Sequence, residues 1–298
     1  MNGETRVVGV RLRAEWVVVG LVALLVAVVG NRVVGDVAGA AAGRAWLFVA
    51  GGVLVYELDF LRRHLDRNGG RDGPVRASLG PANAVTLVRG MLYAVAGGFL
   101  LVPPVVGIRW LPGLCYGAGA ALDFVDGWVA RRTGRRSVLG AKLDLAFDTL
   151  GFLVVPLVGV AWGRLPVWYL ALAVARYLFR AGEAYRRHRG RPVAPLPESR
   201  VRRPLAALQM AVITAALLPV LPRSAATALA TVAMVPSLLV FGRDWLVVSG
   251  RLSSSGSTDE GRSDSTDEGC TGEDSGDDTV AVTDTDAGAV AADGSGEE

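Results

Sequence analysis

Four aspartates lie close together in a stretch that otherwise has the composition of membrane helices. Asp123, Asp126, Asp144 and Asp148 fall within residues 122–150, and the flanking runs 111–121 and 149–161 contain no charged residue. A carboxylate at the centre of a bilayer costs at least ~2.5–3.5 kcal/mol. The first two aspartates are spaced i,i+3 and the last two i,i+4, so each pair shares one helix face. We therefore expect two antiparallel helices, joined by a short loop, to bring the four carboxylates into one pocket.

Such a pocket needs cations. Four like charges this close cannot all stay ionised unless positive charge lies between them. No histidine or cysteine stands between the first and the last aspartate. Because hard cations prefer carboxylate oxygens, the sequence predicts a site for Mg²⁺ or Mn²⁺ rather than for zinc.

Small residues and one arginine accompany the aspartates. Gly127 follows Asp126 directly, and Gly140 stands one turn before Asp144. Glycine is unfavourable inside a helix, so its presence here indicates close approach by a neighbouring helix or a ligand. Ala130 continues the first aspartate face with a small surface, and Arg131 adds a forked cation suited to phosphate.

These residues together match a known pattern. The signature of the CDP-alcohol phosphatidyltransferases resembles, position for position, the spacing Asp123-x2-Asp126-Gly127-x2-Ala130-Arg131-x8-Gly140-x3-Asp144-x3-Asp148. Upstream, the stretch that opens the first core helix in this family resembles Asn83-x2-Thr86-Leu87-x-Arg89. The resemblance covers roughly residues 81–251.

The resemblance implies an enzyme. Members of the family transfer the phosphatidyl group of a CDP-linked lipid to a small polar alcohol and release CMP. An in-line displacement at phosphate suits two divalent ions that neutralise the phosphate oxygens. The cofactors implied are therefore two ions of Mg²⁺ or Mn²⁺, and the partners are the CDP-linked lipid, the alcohol and membrane lipids, with no nucleic acid.

Individual roles follow from the resemblance. By the resemblance, the metal ligands are Asp123, Asp126, Asp144 and Asp148. Asp148 is also expected to be the base that takes the proton of the attacking hydroxyl. The residues expected to bind the nucleotide and its phosphates are Gly127, Ala130, Arg131, Asn83 and Thr86. A simpler interpretation stays open for Asn83, Thr86 and Arg89. They would then mark the entry of a helix, with a capping residue and with Arg89 as an arginine that snorkels towards water.

Three further arginines are candidates for binding the acceptor alcohol. Arg176 and Arg180 lie within a hydrophobic run, one turn apart and on one helix face. An arginine at such depth usually has an anionic partner. With Arg200 added from the segment before the next helix, we predict a phosphorylated acceptor, glycerol phosphate first and inositol phosphate second.

The rest of the chain is organised as membrane helices. The 298 residues are 51% hydrophobic, and the apolar runs are too long and too frequent for a soluble core. We predict an all-α, polytopic membrane protein, with a six-helix core preceded by two extra helices. The eight predicted helices are Trp16–Gly30, Ala45–Leu61, Ala84–Ile108, Leu111–Arg132, Leu139–Trp162, Leu165–Tyr185, Pro204–Leu221 and Ser224–Phe241.

Three regions are expected along the chain. Residues 1–80 form a two-helix membrane extension with a polar linker, and residues 81–250 form the catalytic core. Residues 251–298 contain 14 acidic residues against two arginines and almost no large apolar residue, so we expect a disordered tail. Glu57 and Asp59, near the end of the second run, are expected to lie at the membrane interface.

The arginines predict the orientation in the membrane. If both termini are cytoplasmic, the inside segments hold 21 arginines and the outside loops hold five. This asymmetry follows the positive-inside rule and places the aspartates near the cytoplasmic face of the cell membrane, in a multi-pass protein. Whether the protein is a monomer or a homodimer stays open.

Two other functions were weighed. Intramembrane aspartates are also typical of ion-coupled transporters, where they carry protons or Na⁺. A transporter has no need of this spacing of glycine, alanine and arginine. An inactive scaffold of the same fold is the second alternative, and the presence of all eight signature residues argues against it.

Overall fold

The chain folds into α-helices throughout the part that the structure describes. The computed structural model describes residues 3–70, 74–133, 137–191 and 201–249. In these ranges there is no strand and there are eight α-helices: α1 (Gly3–Ala38), α2 (Ala40–His64), α3 (Gly80–Gly97), α4 (Leu111–Thr133), α5 (Val138–Ala161), α6 (Ala171–His188), α7 (Arg202–Leu217) and α8 (Arg223–Val248). The predicted all-α fold is confirmed. The acidic tail lies outside the described residues.

Five of the eight described helices, α1, α2, α3, α5 and α8, are long and apolar enough to cross a membrane. Of the other three, α7 has only 16 residues, α6 contains several arginines and α4 carries aspartates. Large apolar side chains such as Phe48, Val106 and Val232 remain exposed. The chain is therefore a polytopic membrane protein, whose apolar outer surface suits contact with lipid.

Several helix ends differ from the predicted bounds, most clearly those of α3 and α1. The run predicted as Ala84–Ile108 is helical only to Gly97 and continues as a 3₁₀ turn, Gly98–Leu101. Val102 is extended, as expected for the residue before Pro103, and this ends the helix. α1 is longer than predicted, because it continues through the polar residues after Gly30 as far as Gly39, whose φ of 94° allows the turn into α2.

The N-terminal hairpin of α1 and α2 packs against the core mainly through α2 and α3. The indole of Trp46 on α2 donates a hydrogen bond to the carbonyl oxygen of Val95 at 3.2 Å. Within the hairpin, Trp16 Nε1 donates to the carbonyl oxygen of Leu58 at 2.9 Å. These bonds satisfy indole groups that would otherwise be buried without partners.

Glu57 is buried between α2 and α3, and its predicted place at the membrane interface stays a prediction. Its side chain is only 4% exposed and faces α3 at Gly90. A Cβ atom on Gly90 would lie 2.9 Å from Glu57 Oε1 and 2.7 Å from the ring of Phe147. The missing side chain at Gly90 is therefore what lets α2 and α5 approach α3 so closely.

Hydrogen bonds between loops identify which helix ends lie together. At the end that carries the aspartates, Leu79 N donates to Glu15 Oε2 at 2.7 Å, and Val138 N donates to the carbonyl of Gly69 at 2.9 Å. At the opposite end, Trp162 Nε1 donates to the carbonyl oxygen of Val102 at 2.8 Å. α3 and α5 therefore begin at the same end and run in the same direction, which agrees with the predicted alternation of the helices.

The orientation can be tested with single cysteines in a protein whose own Cys115 and Cys270 have been replaced by alanine. We expect His188→Cys to be protected from an impermeant thiol reagent added to intact cells, and Arg109→Cys to react. Both side chains are exposed and lie at opposite ends of the helices. Permeabilised cells provide the control, since both positions should then react. Labelling of position 188 from outside would reverse the orientation.

Candidate functional site

The centre of the site is a buried arginine on α3. Arg89 is fully buried, and its guanidinium binds carboxylates from two neighbouring helices. Nη1 forms an ion pair with Asp123 on α4. Nη2 lies 2.9 Å from Asp144 Oδ1 and 3.3 Å from Asp148 Oδ1, both on α5. One guanidinium therefore holds three of the four signature aspartates together.

Sequence analysis did not assign this role to Arg89. A snorkelling arginine would reach water, whereas this one is enclosed by three helices. The sequence feature that could have indicated this role is the spacing of three residues between Thr86 and Arg89, which places both side chains on one face of α3. Thr86 Oγ1 lies 3.1 Å from Asp144 Oδ1 and 3.2 Å from the carbonyl oxygen of Ala82. Its hydroxyl proton can be donated to either oxygen.

The three aspartates remain accessible. The side chains of Asp123, Asp144 and Asp148 are 42%, 46% and 23% exposed. Asp148 Oδ1 is itself buried, but the exposed part of the three side chains can meet a solute or an ion.

Close helix packing fixes where these aspartates stand. The ring of Tyr93 on α3 lies against Gly119 of α4 and Gly151 of α5, and a Cβ atom on Gly151 would come within 2.7 Å of that ring. Asp123 follows Gly119 by one turn, and Asp148 precedes Gly151 by nearly one turn. The two glycines thus set the distance between the helices that carry the carboxylates.

Asn83 organises the entrance of α3 and α5. It is 3% exposed, and its amide donates to the carbonyl oxygen of Leu79 at 2.8 Å and to Asn68 Oδ1 at 3.1 Å. The hydroxyl of Ser137 donates to Asn83 Oδ1 at 3.2 Å and accepts from Gly140 N at 2.9 Å, which caps α5. A Cβ atom on Gly140 would lie 2.6 Å from Asn83 Oδ1. These contacts give Asn83 a positioning role, and its predicted part in nucleotide binding stays a prediction.

Several predicted residues cannot be placed in this way. Asp126, Gly127, Ala130 and Arg131 lie on α4, but the side chains of this segment are outside the described part of the structure. Arg200 falls in residues 192–200, which are also outside it. Their predicted roles stay predictions.

The donor set suits a hard divalent cation. Among the side chains that the structure describes, no three acidic, histidine or cysteine residues form a metal site on their own. The three aspartates that Arg89 gathers nevertheless supply only carboxylate oxygens, are open to solvent, and already surround one cation. Mg²⁺ or Mn²⁺ fits this chemistry better than zinc does.

A cavity of about 490 Å³ opens between α5, α6, α7 and α8. Arg176 and Arg180 both line it, on one face of α6, as the sequence predicted for this pair. The guanidinium of Arg176 lies 5.2 Å from the centre of the Phe152 ring. Phe152 follows Asp148 by one turn on α5, so the cavity borders the part of this helix that carries the aspartate.

The far wall of this cavity is also polar. Arg202 forms a two-pronged ion pair with Asp244, at 2.7 and 2.9 Å, which joins α7 to α8. Deeper in, Tyr169 donates to Gln209, whose amide donates to Ser237 Oγ at 2.9 Å. The cavity therefore offers charged and hydrogen-bonding groups to a polar ligand, within otherwise apolar walls.

Fold and site together define a polytopic membrane protein with a carboxylate site suited to divalent cations and a basic cavity beside it. A family model described as CDP-alcohol phosphatidyltransferase matches residues 80–241, more than half of the chain. The chain belongs to this family. No curated protein and no solved structure matches it.

Membership establishes the general activity. The protein is a transferase that moves the phosphatidyl group of a CDP-alcohol to an alcohol acceptor in a membrane. The family generally uses divalent metal ions.

The role of Arg89 can be tested by its stability effect. Arg89→Leu leaves three carboxylates without their buried cation, so we expect the free energy of unfolding to fall by about 3 kcal/mol or less. A loss of about 3 kcal/mol is expected when a fully buried ion pair is broken. The aspartates are partly exposed, so the loss should be smaller here. Thermal unfolding in detergent measures the change. Arg89→Lys should lose less, and Arg13→Gln, an exposed arginine on α1, should lose nothing. Equal melting temperatures for the Leu variant and the wild type would contradict this role.

Proposed function

We propose that the protein transfers the phosphatidyl-type group of a CDP-linked lipid to a phosphorylated polyol, such as glycerol phosphate or inositol phosphate, in phospholipid biosynthesis. The observation that carries this proposal is the placement of Arg176 and Arg180 in one cavity, with Arg176 over the ring of Phe152, one turn after Asp148 on α5. Inositol carries no charge, and serine carries a single carboxylate beside an ammonium group, whereas an acceptor phosphate would bind both guanidinium groups directly.

The reaction is a displacement at phosphorus. The acceptor hydroxyl oxygen forms a bond to the phosphorus that carries the lipid, and the bond from that phosphorus to the oxygen of CMP breaks. The hydroxyl proton goes to a carboxylate oxygen of Asp148. Asp148 is favoured as the base because it stands one turn before Phe152, whose ring lies against Arg176 of the proposed acceptor cavity.

Asp123, Asp126, Asp144 and Asp148 would hold the divalent ions, two of Mg²⁺ or Mn²⁺. When bound, these ions neutralise the phosphate oxygens and stabilise the leaving CMP. The chain's own contribution is to keep the carboxylates in place, through Arg89 behind three of them and Thr86 beside Asp144.

The nucleotide would lie along the first signature helix. Gly127 and Ala130 would leave room for it, and Arg131 would bind its phosphates. This assignment is supported by the resemblance of the signature. Thr86 would stand at the edge of this site, and Asn83 would support it from behind through Ser137 and Gly140.

We place this chemistry at the cytoplasmic face of the cell membrane, with both termini cytoplasmic and residues 81–250 as the catalytic core. Water-soluble CMP and the acceptor would enter and leave through the exposed side of the aspartates, while the lipid chains stay in the bilayer. Arg200 would join the acceptor site from the segment before α7. The assembly is a monomer or a homodimer.

Asp148→Asn tests the assignment of the base. An amide cannot accept the hydroxyl proton, so we expect CMP release to fall by about two to four orders of magnitude, while binding of the CDP-lipid remains measurable. Release of radiolabelled CMP and equilibrium binding of the CDP-lipid are the two measurements. Asp123→Asn serves for comparison and should weaken binding of Mn²⁺ as well. A near wild-type rate for Asp148→Asn would exclude this base.

The acceptor can be identified by CMP release from one CDP-lipid with glycerol phosphate, inositol phosphate, inositol and serine in turn. Arg176→Gln should raise the KM for the phosphorylated acceptor by about ten-fold or more, the loss expected for one charge-assisted hydrogen bond. The KM for the CDP-lipid should change little. Arg189→Gln, at the exposed end of α6, is the matched control. Serine as the productive acceptor would refute the phosphate-binding role and leave the transfer reaction intact.

A further inference from the structure

A second basic pocket lies between the N-terminal extension and the core. It has a volume of about 470 Å³ and is formed by α2, α5 and α6. Its described lining includes Lys142, Arg180 and His64 but no carboxylate. Lys142 is the one lysine in the whole chain. We call this the extension pocket.

The cations of the extension pocket lack protein partners. Among the described residues, neither Lys142 nor Arg180 forms an ion pair or a hydrogen bond. Asp144 stands two residues after Lys142 on α5, which places it on the opposite side of the helix, facing Arg89. Two positive charges therefore face a pocket whose described lining contains no carboxylate.

The wall contributed by α2 is a row of rings. Tyr56, Phe60 and His64 are spaced four residues apart and so share one helix face. Their ring centres are 6.1 Å apart for the first pair and 4.4 Å for the second. His64 Nδ1 donates to the carbonyl oxygen of Phe60 at 2.9 Å, which fixes the histidine ring in the row. This wall is thus ordered by its own contacts.

Polarity changes along the pocket. α2 ends and α5 begins at the same end of the bundle, so His64 and Lys142 lie at that end. Tyr56 and Leu150 lie about two helical turns further in, roughly 12 Å along the helix axes. The pocket is therefore cationic at the membrane surface and aromatic and aliphatic towards the bilayer interior.

This gradient matches an anionic lipid. Basic pockets between membrane helices bind anionic headgroups, and tyrosine rings favour the level of the headgroups. A soluble phosphate would use the cations and leave the deeper apolar wall without a ligand. Tyr56 and Tyr177, at 46% and 40% exposure, leave this apolar part of the pocket open to the surroundings of the protein.

We propose that the extension pocket binds the phosphate headgroup of an anionic membrane lipid, with Lys142 as its principal cation and the ring row of α2 against the first part of the lipid chain. Three of its lining residues, Tyr56, Phe60 and His64, precede residue 80, where the family match begins. The site therefore needs the extension. Because Arg180 lines both this pocket and the other cavity, the test rests on Lys142.

The experiment uses the full-length protein in nanodiscs of neutral phosphatidylcholine that contain a trace of spin-labelled phosphatidylglycerol. Electron paramagnetic resonance reports the motionally restricted lipid, and spin-labelled phosphatidylcholine gives the reference. We expect the wild type to prefer the anionic probe. Lys142→Gln should weaken this preference by about five-fold, as expected when one cation near an anionic headgroup is removed. Neither measurement depends on the transfer reaction.

Two variants control for charge and folding. Lys142→Arg should keep the preference, and Arg13→Gln, which removes an exposed cation from α1, should leave it unchanged. All variants should share the wild-type melting temperature. An unchanged preference in Lys142→Gln would overturn the proposal. Binding of inorganic phosphate that depends on Lys142, without any preference for the anionic lipid, would also overturn it and indicate a soluble ligand.

Discussion

The site depends on one guanidinium group with no exposed surface. Arg89 neutralises carboxylates on two helices at once, and this is what allows Asp123, Asp144 and Asp148 to stand together among apolar segments. A buried charge is tolerated only where partners meet it with good geometry. Helices α3, α4 and α5 are consequently held in one axial register, because sliding any of them by a turn would separate the arginine from an aspartate.

The same constraint explains why small residues surround the site. The arginine reaches both helices only if they approach closely, and Gly119 and Gly151 make room for Tyr93 where they do. Gly140 makes room for Asn83 in the same way. The glycines of the signature region therefore serve helix packing as much as ligand access, and packing and chemistry cannot be assigned to separate residues here.

Much of the fold could be predicted because charge-free runs of this length have few alternatives to membrane helices. The end of α3 was missed, since Val102 takes an extended conformation before Pro103 while the hydrophobic run continues. The spacing of the signature aspartates indicated their faces, but not the partner of their charge. That partner lies on a third helix, and only tertiary contacts show that Arg89 faces inward. The burial of Glu57 was not predicted for a similar reason, because it depends on Gly90 of another helix.

The hydrogen bonds around Asn83 show that the N-terminal extension and the segment matched by the family model are joined. Family resemblance begins at residue 80, yet Asn68 is fully buried and donates to the carbonyl oxygens of Arg76 and Ser78 while it accepts from Asn83. Asn83 in turn accepts from Ser137, which caps the helix that carries Asp144. The residues shared with relatives are thus completed by residues outside the shared region. The segment that the family model matches is therefore not a separate folding unit in this chain. Part of the N-terminal extension is needed to hold the helices that carry the aspartates.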